Sequence, residues 1–250
     1  MAFTLVGYYE KVDTDGSLTQ LNALPDQHIT FDNKDILVPD WASNFIQAVA
    51  LNSTISHSRL SAPSLRQRSE LDLYPNGLAT SASVITGVMN RFERPLALTP
   101  GEGLRFSVQE TASEAIDGYG LVWLEGERTP APDGEVETIM ATSSTTTTPH
   151  SWTLCKIELS QQLRSGKYAI VGLRVESVSL LAARLVIPGS AYRPGVLGSR
   201  KASDMRNDVT TTGGLGNWGE FEHTFVPQLE VLTSSADTAQ TVYLEIIKIT

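Results

Sequence analysis

The chain predicts an all-β sandwich, and three observations carry that prediction. From Leu104 to Ile249 apolar and polar side chains alternate in short runs, as in Leu104-Arg105-Phe106-Ser107-Val108 and Val242-Tyr243-Leu244-Glu245-Ile246. Period two is the signature of a strand that turns one face to a core. Each run is closed by Gly, Pro, Asp or Ser, and almost no helical period interrupts the series. Eight such runs occupy the second part of the chain, the strand count of a jelly roll. The expected fold is therefore a jelly-roll sandwich, or two sandwiches side by side, with one short helix near residues 40–51.

Taken in order, Tyr8 to Val12 and Ser17 to Leu21 flank Asp13-Thr14-Asp15-Gly16, whose Asp-Gly pair favours a tight hairpin. Gln27 to Phe31 adds a short strand. Pro39-Asp40-Trp41 then opens the predicted helix: Asp40 can cap it, and Trp41, Phe45, Ala48 and Val49 fall on one helical face. Strands follow at 55–60, 69–74 and 84–89, separated by turn-forming stretches rich in Pro, Ser, Asn and Gly. The eight later strands are placed at 104–110, 120–124, 136–142, 152–159, 168–177, 182–187, 223–232 and 241–249. Two irregular stretches interrupt them, the uncharged Ser143 to Pro149 and the long Pro188 to Gly219. Connections of that length in a compact domain are usually functional or interfacial. The domain limits that fit are 1–128 and 129–250, or an extension over 1–100 before a single jelly roll over 101–250.

Composition narrows the function classes. The chain has 250 residues, 41% hydrophobic, enough for a sizeable core. Nineteen Lys and Arg against 28 Asp and Glu give a net charge of −9, the wrong sign for wrapping nucleic acid. Arg66-Gln67-Arg68 and Arg200-Lys201 are too short to neutralise many phosphates. Cys155 is the single cysteine, so neither an internal disulfide nor a thiolate metal site can form, and its apolar neighbours Trp152, Leu154 and Ile157 make it a core residue. The first ten residues lack the basic start and apolar run of a signal peptide. No stretch approaches the roughly 20 apolar residues that span a bilayer. A soluble product of the cytoplasm is expected.

Chemistry-bearing patterns are sparse. Gly214-Leu215-Gly216-Asn217-Trp218-Gly219 spells G-x-G-x-x-G, with Asp237 downstream, but no βαβ unit surrounds it, and glycines setting loop angles explain it better. Asp13-Thr14-Asp15-Gly16 lacks the remaining ligands of a calcium loop. His28, His57, His150 and His223 are scattered, so no metal or other cofactor is expected. There is no G-x-S-x-G nucleophile turn. Glu220 and Glu222 share a strand face and could form a glycosidase pair, although adjacent carboxylates are more often a solvated surface. Trp218, Tyr192 and Glu220 could form a sugar-binding pocket, and the same aromatics could anchor a subunit interface.

At Gly166-Lys167-Tyr168-Ala169-Ile170-Val171-Gly172-Leu173, Ala183-Arg184-Leu185-Val186-Ile187-Pro188 and Tyr192-Arg193-Pro194-Gly195-Val196, the chain resembles jelly-roll capsid proteins of tailless icosahedral viruses. In size and plan it is similar to the double jelly-roll lineage of membrane-containing phages. The resemblance lies in strand order, loop distribution and length across most of the chain rather than in a motif. It implies two sandwiches side by side, homotrimers of pseudo-hexagonal outline, other capsid proteins as partners, and a shell around an internal membrane or other layer. It also implies a virion protein without catalysis, cofactor or direct nucleic-acid binding. On that reading Trp41, Phe45, Tyr192, Arg193 and Trp218 are the expected inter-subunit contacts, with the loops 143–149 and 188–219. Trp41 and Phe45 could equally cap the end of a sandwich, and the Thr-rich loop could be a mobile tip.

Overall fold

A computed structural model describes residues 3–13, 17–27, 29–51, 54–65, 89–91, 93–110, 114–198 and 215–250. The Asp13 to Gly16 turn, apart from Asp13 itself, the strand expected at 69–74, most of that at 84–89, both basic clusters, His28 and Gly214 lie outside these residues. The described chain is built almost entirely of antiparallel strands. It divides into two compact units, one of residues 6–126 and one of residues 127–250 joined by the chain's first five positions.

The N-terminal unit holds β1 (Phe3–Val12, its first residues counted with the other unit), β2 (Thr19–Gln20), β3 (Asn22–Ala23), β4 (Phe31–Asp32) and β5 (Asp35–Leu37). It continues with β6 (Asn44–Leu51), β7 (Ile55–Ser61), β8 (Met89–Asn90), β9 (Leu96–Ala97), β10 (Gly103–Glu110) and β11 (Ile116–Glu125). One sheet runs β3-β1-β11-β6-β8, with β9 also on β6. The other runs β2-β10-β5-β4, with β7 also on β10. Tyr8, Phe45, Ala48, Leu104, Phe106, Val122 and Leu124 are buried in its core.

The C-terminal unit holds β12 (Val136–Ser143), β13 (Trp152–Cys155), β14 (Glu158–Leu159), β15 (Lys167–Glu176), β16 (Leu180–Val186), β17 (Gly195–Leu197), β18 (Gly219–Glu222), β19 (Gln228–Thr233) and β20 (Gln240–Lys248). Its sheets are β14-β12-β20-β15-β18 and β13-β19-β16-β17. With β14 set aside as an appendage of β12, the principal strands order as first, last, third, sixth in one sheet and second, seventh, fourth, fifth in the other. That winding of two interleaved Greek keys is a jelly roll. The N-terminal unit winds alike, since its first strand β1 lies beside its last, β11, then β6 and β8, while β5 and β7 both pair with β10. Alternation supplies the C-terminal core: Ile139, Ala141, Leu173, Val175, Val242, Leu244 and Ile246 from one sheet, Cys155, Ala183, Leu185, Val196, Leu229 and Val231 from the other.

Two expectations are corrected. The helix near 40–51 is the strand β6. Phe45, Ala48 and Ala50 belong to the core cluster, yet Gln47 and Val49 between them are also fully buried, so the segment is one apolar run without alternation. A register shift sets Phe45 opposite Leu124 and Gln47 opposite Trp123, making Ile46 the extra residue. The bulge stretches the inward spacing from two to three and so imitates a helical face. The stretch Pro188 to Gly219 is not all loop either, because β17 lies in it and β18 starts at its last residue. They complete the C-terminal jelly roll, whereas the strands at 104–110 and 120–124 belong to the N-terminal unit.

Candidate assembly surface

The loop carrying Tyr192 and Arg193 leaves β16 through a turn closed by Ser190 N–H on the Ile187 carbonyl at 3.0 Å, with Gly189 at φ 77°. Tyr192 is half-buried. Arg193 folds back on the loop, its Nη1 donating to the Ser190 carbonyl at 2.9 Å and the Tyr192 carbonyl at 3.1 Å. Its backbone N–H donates to Thr4 Oγ1 at 3.0 Å, and its carbonyl accepts from Leu5 N–H at 2.9 Å. Arg193 is thus buried as an internal clamp on the chain's opening residues, which removes it from the expected inter-subunit contacts.

The same residues organise Trp218. Its backbone N–H donates to the Ile170 carbonyl at 2.8 Å. Its ring, 1% exposed, meets Phe3 edge-on with centroids 5.1 Å apart at 89°. The indole Nε1 is buried with no hydrogen-bond acceptor among the described residues. A ring so enclosed can neither stack on a sugar nor anchor a neighbour, so the pocket expected of Trp218, Tyr192 and Glu220 is not formed. Gly216, at φ 80°, lets Asn217 N–H reach the Thr129 carbonyl at 2.9 Å, and a Cβ there would lie 2.3 Å from that same oxygen. The glycines of 214–219 that are described therefore serve loop geometry.

Glu220 hydrogen-bonds the Lys167 ammonium, which holds its carboxyl below the usual carboxylate range; burial opposes this and Asn217 Nδ2, donating at 3.1 Å, reinforces it. A glycosidase acid needs the opposite shift. The Glu220 and Glu222 pair is a charged surface in which Glu220 is kept ionised.

In the N-terminal unit, Phe45 is fully buried and Trp41 packs half-buried against the same core. Phe45 therefore has no ring surface left for another copy. The Thr-rich loop is tied down rather than mobile: Thr147 N–H donates to the Asp237 carbonyl at 2.8 Å, and Thr147 Oγ1 accepts from Thr233 Oγ1 at 3.0 Å and from Asp237 N–H at 2.9 Å.

Arg184 is a buried charged side chain that sequence reasoning passed over. At 2% exposure it donates from Nε to Glu230 at 2.7 Å and from Nη1 to the Leu5 carbonyl at 3.0 Å, with its guanidinium 4.1 Å from the centroid of the Trp152 ring. An arginine inside Leu-Leu-Ala-Ala-Arg-Leu-Val was the available signal. Among the described residues no cluster of three or more His, Cys, Asp or Glu could hold a metal, and no helix is long and apolar enough to cross a membrane.

No protein-family model and no curated protein matches the chain. Among solved structures it is similar to the major capsid protein P2 of bacteriophage PM2, with 11% identity, a TM-score of 0.23, and coverage of 94% of this chain and 98% of that one. The assignment of an all-β jelly-roll fold rests on the strand order within each unit.

Proposed function

We propose that the chain is a structural subunit, the major capsid protein, of an icosahedral virus shell. The observation that carries this reading is the repetition of one jelly-roll wind in two successive units of a single chain. Such a chain presents two stiff sandwiches whose loops and faces can tile, and a shell gains its stability from moderate contacts repeated by symmetry. Short edge strands such as β14, β17 and β18 favour that role, because they offer little backbone for unregulated strand pairing. Homotrimers are the assembling unit, other capsid proteins and an internal membrane layer are its partners, and the virion is its location. Of the residues first considered for inter-subunit contact, Tyr192 and Trp41 keep exposed surface and remain in that role. The negative charge leaves the genome to be neutralised by another component.

Light scattering and negative-stain imaging of the purified protein test this. Trimers or larger closed assemblies are expected; a protein that stays monomeric at every concentration and salt condition rules the reading out. Strong, salt-sensitive binding to DNA would contradict the absence of a genome-binding role.

A further inference from the structure

The face of β12-β20-β15 turned away from the C-terminal core carries an unusual set of side chains. Across it, Met140 stands opposite Tyr243 and Tyr243 opposite Arg174. In the next row Thr138 stands opposite Glu245 and Glu245 opposite Gly172. Val136 and Met140 are 51% and 42% exposed, whereas Ile139 and Ala141 on the inward face of the same strand are buried. A solvated sheet face is ordinarily polar, and Val136 and Met140 give this one apolar area that a partner could cover.

The charges on this face are incompletely matched. Arg174 lies 4.2 Å above the Tyr243 ring centroid, pairs with Glu176 at 3.3 Å, and leaves half of its side chain exposed. Glu245 beside it is half-buried and makes no hydrogen bond or ion pair with any described residue. Burial pushes its carboxyl above the usual range and the attraction of Arg174 only partly offsets this, so the ionised group is under-compensated. In the N-terminal unit the strand of equivalent position, β11, offers Leu121 and Trp123 on the corresponding face, and both are fully buried. Where that face is closed its residues are apolar, and where it is open they carry an arginine and an under-paired glutamate.

We infer that the outer face of β12-β20-β15 is a two-fold contact between copies of this chain, in which Arg174 of each copy lies against Glu245 of the other and Met140 and Val136 pack at its centre. The inference rests on the shell-subunit reading and names one of its homotypic surfaces. A second copy fits because the face carries both halves of the pair on neighbouring strands, so a two-fold axis satisfies both at once. A purely cationic partner would meet Arg174 with like charge, and a purely anionic one would do the same to Glu245.

Charge reversal tests the contact. Arg174→Glu and Glu245→Arg, each with an unchanged circular dichroism spectrum, should each raise the concentration needed for association about tenfold or more, and the double variant should restore it. Met140→Lys, at an exposed position, should weaken association without a change in monomer stability. Wild-type association that persists unchanged in all four variants overturns this face and leaves the shell reading standing. A wild-type protein that never associates overturns both.

Discussion

Phe3 closes over Trp218 edge-on, so the first described residue of the chain covers the ring that immediately precedes β18. Removing the cover exposes an indole and leaves a cavity on a fully buried site. Phe3→Ala should destabilise the C-terminal unit by about 3–5 kcal/mol, read as a shift in urea midpoint. Trp218→Phe should cost much less than Trp218→Ala, because it keeps an aromatic partner and deletes a buried N–H without an acceptor. Equal losses from the two Trp218 variants would show that the ring contact is not what matters.

Arg184 serves three partners at once, the Glu230 carboxylate, the Leu5 carbonyl and the Trp152 ring. A planar guanidinium can do this and a lysine ammonium cannot. Arg184→Ala should cost about 3 kcal/mol, and Arg184→Lys should recover less than half of that loss. Full recovery by lysine in a denaturant titration would reduce the site to a simple charge pair.

The Asp237 carboxylate joins two loops, accepting from Ser177 Oγ and from Ser179 N–H at 3.2 Å in one and from Ala239 N–H at 3.1 Å in its own. Burial pushes its carboxyl up, but these hydrogen bonds outweigh it and hold the group below its ordinary value of 3.8. The folded state therefore favours the ionised form. That stability is present above the unfolded value and is lost as the pH falls through the lower folded value. Asp237→Asn should be less stable than wild type at neutral pH, with the difference shrinking as the pH falls below the ordinary value of 3.8. A gap in urea midpoint that stays constant over that range would remove the carboxylate from the account.

Gly195 on β17 has no space for a methyl group. A Cβ there would lie 2.6 Å from the Ala183 carbonyl oxygen, 2.7 Å from Arg184 Cβ and 2.8 Å from Leu5 Cδ2. The first of these is backbone in a paired strand, so it cannot step aside. Gly195→Ala should cost about 1–3 kcal/mol and should loosen the opening residues, seen as faster hydrogen exchange at Leu5 and Arg193. Unaltered exchange together with unaltered stability would mean that the strand shifts freely.

The strands with one buried face were legible, since β10, β12 and β20 begin and end within a few residues of where alternation places them. β6 was not, because burial on both faces erases alternation and its bulge supplies a false helical spacing. β17 and β18, of three and four residues and each opening on glycine, are too short for any period to show. At the candidate site, residue type gave the importance of Trp218 and Arg193 but not the direction in which they face. Their partners are Phe3 and Thr4, almost the whole chain away, and no local pattern encodes that pairing.

The capture of residues 3–5 by the C-terminal unit also sets a timetable for synthesis. Those residues are synthesised ahead of both sandwiches, yet their partners Arg184, Arg193 and Trp218 follow only within the second. The N-terminal sandwich can condense while the chain is still growing, but its opening strand stays half-engaged until the last strands are made. Closure of the second sandwich thus waits for both its earliest and its latest strands, and an assembly surface on that sandwich matures only after they have met.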